Sequence, residues 1–393
     1  MPRILWSKIR PVIAALMLLN LPGCAVPPLI PVSSRSIPPF QDDLDRQGLN
    51  QAVQSSLNYL RSRPADAMVI TMSDQEIPVS RFTQSLVAFQ DLLAAKPSDQ
   101  ELQEKIRQQF DIFQAAGTSG FNPGRKMLVT GYYQPILDGS LENQAPYLYP
   151  LYTIPPDLVI KPSEGSTGKR IGRLEDAHFT SYWTREEIDT QDKATGSELA
   201  WLKDPLDVFF LQVQGSGLIR LRDGTIRGIH YAAKNGHPYR SIGKYMVQTG
   251  RISVEKASME SIRTYIINHP QERQKILFTN PSYIFFNWTR TQGAIGNLGR
   301  ELTPGRSIAA DQSCFPAGGL AFLKTRQPVI KSGKIVDWKP IHRFVLVQDT
   351  GSAIRGPGRV DLFWGAGDQA GQVAGSMKEA GTLYFLLSRS DKS

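Results

Sequence analysis

The sequence predicts an α+β protein that is mainly β, with helices at its N-terminal side and a few more inserted further along. Three helix-period stripes of apolar residues lie between positions 43 and 116. From Lys126 onward the apolar period shortens to two, in short runs punctuated by Gly, Pro and Asp. The regular strand–helix alternation of a doubly wound sheet is absent, so the β-rich part matches barrels better. At 393 residues the chain exceeds one typical core, and two domains are expected.

Residues 1–24 open with a basic stretch (Arg3, Lys8, Arg10), continue through an apolar run over 11–21 and end in Leu21-Pro22-Gly23-Cys24. The run is too short to span a bilayer and has the layout of a cleaved export signal. Leu-x-Gly-Cys resembles the lipoprotein box of bacteria, in which the cysteine is lipidated and becomes the first mature residue. That implies a lipid anchor on Cys24 and, with Ala25 rather than Asp after it, the periplasmic face of the outer membrane as destination. Residues 25–40 carry prolines at 27, 28, 31, 38 and 39 and are expected to form an extended tether.

Helices are expected over 43–63 (Leu49, Val53, Leu57, Leu60), 80–96 (Phe82, Leu86, Phe89, Leu92, Leu93) and 99–116 (Leu102, Ile106, Phe110, Phe113), each with Asp or Ser ahead of its stripe. Strands are expected at 127–133, 147–154, 207–213 and 218–221. Helices at 254–268 and 271–278 are split by Pro270, which has no N–H to continue the ladder. Strands resume at 283–287, 319–325, 328–330, 343–348, 359–363 and 383–387, and no internal repeat is visible.

Lys and Arg outnumber Asp and Glu by 45 to 36, and the net charge of +9 favours a polyanionic partner. For an exported chain the cell wall or lipid headgroups would be that partner, unless the surface lysines simply keep the protein soluble, and no nucleic-acid-binding motif is present. Cys24 and Cys314 are the only cysteines, so no disulfide framework is available. The five histidines lack ligand spacing and Cys314 is far from a second thiol, so no metal site and no cofactor are expected.

The most informative stretch is 348–364, QDTGSAIRGPGRVDLFW, which sets Asp349 and Asp361 twelve positions apart around a glycine-rich turn. Strand alternation puts Val360, Leu362 and Trp364 on one face and Arg359, Asp361 and Phe363 on the other. A carboxyl among large apolar neighbours is a candidate for a raised pKa and for general acid work. The competing reading has Asp349 capping a turn and Asp361 pairing with Arg355 or Arg359 at the surface. Two more clusters carry candidate groups. In VTGYYQP, Tyr132 and Tyr133 offer stacking faces to sugars, although strand neighbours point to opposite faces and one of them suits a core equally. In 207–243, Asn235, His237, Tyr239 and Arg240 of AAKNGHPYRSIG supply donors for carbohydrate hydroxyls, or equally a solvated loop, and Gln214 and Ser216 of VQGSG are further substrate-binding candidates. Gly215-Ser216-Gly217 is not a nucleophile elbow and reads as a tight turn. Asp311 stands in Ala310-Asp311-Gln312-Ser313 ahead of Pro316 and Gly318.

In order and wording, these clusters resemble the membrane-bound lytic murein transglycosylase A family of bacterial lipoproteins. The match runs over about residues 129–385, and the first hundred or so residues match poorly. The family often has Gly where Ser352 stands, and Gly356-Pro357-Gly358 adds a rigid turn. The resemblance implies a double-psi β-barrel holding Asp361 as catalytic acid with Asp349 and Asp311 beside it. It also implies a second β-rich domain inserted into the barrel and a groove between them for a glycan. The expected layout is 41–137 with 288–393 for the barrel domain and 138–287 for the insert.

By the same resemblance the substrate is the glycan strand of peptidoglycan, with cell-wall synthases or scaffolds as further partners. Ordinary glycosidases use two carboxylates. A lytic transglycosylase needs one, because the C6 hydroxyl of N-acetylmuramic acid attacks its own anomeric carbon. Two alternatives stay open: a wall-binding module without catalysis, and a hydrolase using Asp349 or Asp311 as base.

Overall fold

The structure is a computed structural model and describes residues 27–72, 75–163, 169–254, 257–289, 293–351 and 353–389. Cys24 and the export signal lie outside the described residues. Six strands close into a barrel in the order Met127–Gln134, Lys378–Ser388, Leu320–Lys331, Lys334–Asp349, Ser307–Ala309 and Arg359–Ala366, the last pairing again with the first. Ser307–Ala309 runs parallel to Lys334–Asp349, and Arg359–Ala366 runs parallel to Met127–Gln134. These crossed parallel pairs in an otherwise antiparallel ring are the double-psi arrangement. The far half of Lys378–Ser388 extends past the ring to pair with Phe110–Ala115, which pairs with Leu29–Pro31.

Alternation along the barrel strands sends Val129, Phe322, Val345, Val347, Val360 and Leu362 into one buried core. Helices Leu49–Arg61 and Val79–Ala94 add their stripes to the same core through Leu49, Val53, Leu57, Phe82, Leu86 and Phe89. Phe89 lies 5.0 Å from Phe344 and 6.4 Å from Phe110, centroid to centroid, which joins helix to barrel.

Met127–Gln134 runs through Pro135 straight into Ile136–Ser140, so one segment crosses from the barrel into a second six-stranded sheet. That sheet is ordered Ile284–Thr289, Ile226–Lys234, Ser216–Arg220, Ile136–Ser140, Glu198–Leu202 and Tyr149–Tyr152. Helix Pro205–Gln214 covers it and shares a second core with Ile242–Gln248, Met259–Asn268 and Arg273–Leu277.

Four expectations change. The segment over 25–40 is not a free tether from Leu29 on: Leu29–Pro31 is hydrogen-bonded into the barrel sheet and Phe40 is buried against Phe322 and Phe344. The first helix begins at Leu49, because Asp45, Arg46 and Gly48 have positive φ. The helix of 99–116 ends at Gln109, where Phe110, Ile112 and Phe113 are drawn into the barrel sheet as a strand. Residues 207–213 are helical rather than a strand. Asp204 caps Leu206 N–H, Pro205 occupies the first turn, and Gly215 at φ 80° ends the helix, which is apolar nearly all round because it lies between the sheet and other helices. The strand Ile226–Lys234 and the helix Asp368–Ser376 were not anticipated.

The N-terminal segment is fixed to the barrel by a buried ion pair. Arg306 is fully buried; its guanidinium donates to both Asp42 carboxylate oxygens at 2.6 and 2.8 Å, to Gln47 O at 2.8 Å and to Phe344 O at 3.0 Å. Asp42 also accepts from the N–H groups of Leu44, Arg46 and Phe344. Burial works to raise the Asp42 carboxyl, but Arg306 and the backbone donors outweigh it and hold the pKa below its ordinary value. Asp42→Asn strips the charge partner from Arg306, and we expect it to cost about 3–5 kcal/mol. Urea unfolding of variant and parent reads this directly, and an unchanged midpoint would contradict it.

Candidate active site

Ala309 is the register partner of Asp349 on one side and of Asp361 on the other. The two carboxylates therefore flank one short strand, about 10 Å apart at Cα, two strand spacings. Val360 and Leu362 point into the barrel core, so Asp361 and Phe363 point outward. There the loop 293–302 lies over them: Phe363 packs with Ala294, Leu302 and Tyr132. Asp361 keeps 17% of its side chain exposed, enough to reach a substrate from a mostly dry position.

Burial pushes the Asp361 carboxyl up to about 6; Arg359 pulls it down, and the Asp349 charge adds a smaller upward push. Arg359 Nη2 stands 3.5 Å from Asp361 Oδ1 and 3.2 Å from Thr130 Oγ1, and Nη1 donates to Ala353 O at 3.4 Å. Thr130 is the register partner of Asp361 on the adjoining strand. At 3.5 Å the ion pair is too long to cancel the desolvation of the acid.

Asp349 is raised as well, by burial first, against N–H donors from Thr350 and Asn297 at 2.9 Å each. The buried Tyr132 hydroxyl faces Asp349 without meeting full hydrogen-bond geometry; burial and the carboxylates of Asp349 and Asp361 keep that phenol neutral. Its ring rests on Phe363 at 5.2 Å. Asp311 behaves differently. Burial works to raise it, but Gly356 N–H at 2.7 Å and the Ser313 N–H and hydroxyl at 3.0 and 2.7 Å hold its pKa below the ordinary range. Asp311 is thus an ionised anchor for the turn between Asp349 and Asp361.

The other sequence candidates divide. Tyr132 joins the aspartates, while Tyr133 turns to the opposite side and lays its ring against Gly371, where a Cβ would come within 2.8 Å. Gln214 and Ser216 flank the Gly215 turn, beside the crossover, since Leu218 N–H donates to Pro135 O. Asn235 is a correction. It is 1% exposed and fully engaged, donating to Trp183 O and Pro281 O and accepting from Tyr283 N–H and His237 N–H, so it holds its loop and has nothing left for a sugar. Tyr239 and Arg240 stand exposed on that loop, where Arg240 N–H donates to Asn280 Oδ1.

Two contributors were missed by sequence reasoning, Thr130 and the Asn297 N–H, while Arg359, which the sequence offered as a surface partner of Asp361, stands beside it in a mostly buried position. The glycines at 293, 296 and 299 were the available signal for the covering loop. A Cβ on Gly296 would sit 2.5 Å from Gln348 O, so the loop can approach Asp349 only with glycine there.

A cavity of about 270 Å³ lies at the domain boundary, lined by Asp138, Lys203, Asp207 and Arg220 from the second domain and Gly367 and Asp368 from the barrel. A larger one, about 320 Å³, lies within the second domain against Tyr152, Arg185, Asp189 and Phe209 and contains none of the three aspartates. The chemistry described above belongs to the barrel strands.

A carboxyl held above its ordinary value of 3.8 binds its proton more tightly in the folded state, so its contribution to stability is present at low pH and is lost as pH rises through about 6. Asp361→Asn removes that slope, and we expect it to stabilise the fold at neutral pH by on the order of 2–3 kcal/mol. Urea midpoints of both proteins at acid and neutral pH measure it; parallel curves would refute the raised pKa.

Residues 128–287 match the MltA specific insert domain and residues 306–387 match the 3D domain, a span containing all three aspartates. The chain is 31% identical over 278 residues to membrane-bound lytic murein transglycosylase A of Escherichia coli (strain K12), covering 70% of this chain and 69% of that protein. Its fold matches the crystal structure of a membrane-bound lytic murein transglycosylase from Agrobacterium tumefaciens with a TM-score of 0.74 at 30% identity, over 92% of this chain and 98% of that one. The crystal structure of E. coli MltA with bound chitohexaose matches with a TM-score of 0.68 at 25% identity, over 92% of this chain and 95% of that one. With its insert and its aspartate-bearing barrel both matched, the chain belongs to the membrane-bound lytic murein transglycosylase A family.

Proposed function

We infer that this protein is a lytic transglycosylase of the cell envelope, cleaving the β-1,4 bond between N-acetylmuramic acid and N-acetylglucosamine in peptidoglycan. The observation that carries the mechanism is a single partly exposed carboxyl, Asp361, raised to about 6 between neighbours that are already engaged. Protonated Asp361 donates to the glycosidic oxygen as the C1–O bond breaks. The C6 hydroxyl of N-acetylmuramic acid then bonds to C1 and gives its proton to the Asp361 carboxylate, which closes a 1,6-anhydro ring and restores the acid. Water is not consumed. Arg359 steadies the carboxylate in the interval, and burial, with a smaller push from the Asp349 charge, keeps the resting acid protonated.

A hydrolase would require a second free carboxylate to activate water. Asp349 is committed to two N–H donors and faces Tyr132, and Asp311 is committed to three donors, which favours the one-carboxylate route. In this reading the barrel domain comprises 41–137 and 288–393, the insert 138–287, and the glycan lies between them near Gln214 and Ser216. Cys24 carries lipid and holds the enzyme at the periplasmic face of the outer membrane on a short link.

Asp361→Asn should lower turnover by about 10²–10⁴-fold with the fold intact. Mass spectrometry of the muropeptides released from purified peptidoglycan decides the class. Anhydromuramic ends lost in the variant support the reading; reducing ends from the parent would make it a hydrolase. The rate should fall as pH rises past about 6, where the acid deprotonates. Arg359→Gln, which removes the lowering charge, should move that limb to higher pH, and Asp349→Asn should move it to lower pH; limbs that stay in place would detach both residues from the acid.

A further inference from the structure

Strands Leu320–Lys331 and Lys334–Asp349 run well beyond the barrel. Their ladder runs from Leu320 opposite Leu346 to Lys331 opposite Lys334, with one bulge between Val329 and Ile330, yet Ile341, opposite Thr325, is the outermost core residue of its strand. The remaining rows project as a two-stranded arm about 20 Å long. Its apex is Ser332-Gly333, with φ 49° and 72°, both positive as a tight two-residue hairpin turn requires. Pro328 is buried and Arg326 pairs with Glu379 at the arm's base, but toward the apex the two strands have no third beside them, and a two-stranded hairpin is marginal in water on its own.

The arm has the composition of an interfacial element. Ile335 and Val336 are 45% and 54% exposed near its apex, and Trp338 lies half-buried beneath Arg326. Lys331, Lys334 and Lys339 are exposed around them. The arm's single acidic residue, Asp337, is turned onto the N–H of Trp338 at 2.7 Å, and Arg326 is taken up by Glu379. Apolar and indole groups ringed by unspent cations fit an anionic phospholipid surface.

Strand register tells which end of the molecule the arm marks. Leu29 is level with Ala115, hence with Leu383, Leu323 and Arg343 across the sheet. Moving from Leu29 to Pro28 is therefore the same direction as moving from Leu323 to Lys324, toward the arm's apex, and Ala116 N–H donating to Pro28 O continues that ladder. The chain leading back to Cys24 leaves the sheet at the end from which the arm projects. Three residues lie between Cys24 and Pro28, and the four Cα steps reach at most about 14 Å, less than the arm's own length. Asp349 closes the other end of the strand that Lys334 opens, about 50 Å of strand away.

Resting on the lipid anchor at Cys24, we propose that this arm is a membrane-docking hairpin. Ile335, Val336 and Trp338 enter the headgroup region, Lys331, Lys334 and Lys339 pair with lipid phosphates, and the aspartates are held at the end facing away from the membrane.

The test uses full-length lipidated protein with Ile335→Cys in a Cys314→Ser background, carrying an environment-sensitive fluorophore and reconstituted with phosphatidylethanolamine vesicles with and without phosphatidylglycerol. With phosphatidylglycerol present, label emission should shift to the blue and iodide quenching should fall several-fold. Adding Lys331→Glu, Lys334→Glu and Lys339→Glu should reverse both changes while turnover of detergent-solubilised enzyme on soluble glycan stays the same. Protein that floats with vesicles while its label remains fully quenchable keeps the anchor and overturns the docking. Protein that does not float overturns both. A blue shift that survives the triple glutamate variant, or that needs peptidoglycan fragments rather than lipid, overturns the docking in favour of another surface.

Discussion

The buried pair of Arg306 with Asp42 is the contact on which the rest of the barrel depends. Arg306 immediately precedes Ser307–Ala309, the short strand that separates Asp349 from Asp361. That strand has only three residues and little ladder of its own, so its position is imposed by its flanks. Arg306 fixes one flank to Asp42, Gln47 and Phe344, and the Ser307 hydroxyl reaches Gln348, whose amide continues to Ala52 O and Ser56. A fully satisfied polar network of this kind specifies one arrangement, because any slip would strand a buried charge. The N-terminal helices are thereby part of the site's support although none of their residues belongs to it.

The chemistry of Asp361 follows from the pleat of its strand. Val360 and Leu362 fill the barrel behind it while Phe363 and Tyr132 close the outer side, so the carboxyl sits with little water around it. Arg359 limits the resulting shift without abolishing it, since its guanidinium is shared among Thr130, Ala353 and the acid. Three aspartates in one region thus acquire different jobs by environment: a protonatable acid, a buried neighbour held by backbone donors, and an ionised anchor of the intervening turn.

The second domain is bound to this machinery by covalent continuity as well as by packing. The strand bearing Thr130 and Tyr132 passes without a break into the second sheet, so any displacement of the insert is felt at the acid's own neighbours. Tyr133, on the opposite face of the same strand, packs on Asp368–Ser376 rather than reaching the aspartates.

Much of this was legible in the chain. Alternation around Asp361 determined which residues face the core, the apolar stripes of Leu49–Arg61 and Val79–Ala94 determined two helices, and the glycine and aspartate wording of 129–135, 213–217 and 311–361 determined the family. Local pattern failed where a segment is covered on every side: 207–213 is helical because its neighbours bury all its faces, and 110–115 is a strand because the edge of Lys378–Ser388 claims it. Asn235 illustrates the same limit, since an amide written among donors gives no sign that four backbone groups will use it up. The sequence by itself determined the class of fold and the family and singled out Asp361 as the candidate acid, because periodicity and motif wording are local. Only the tertiary structure decided the raised pKa of Asp361, the anchoring role of Asp311 and the direction of the projecting arm, because desolvation, donor pairing and strand register arise from residues far apart in the chain.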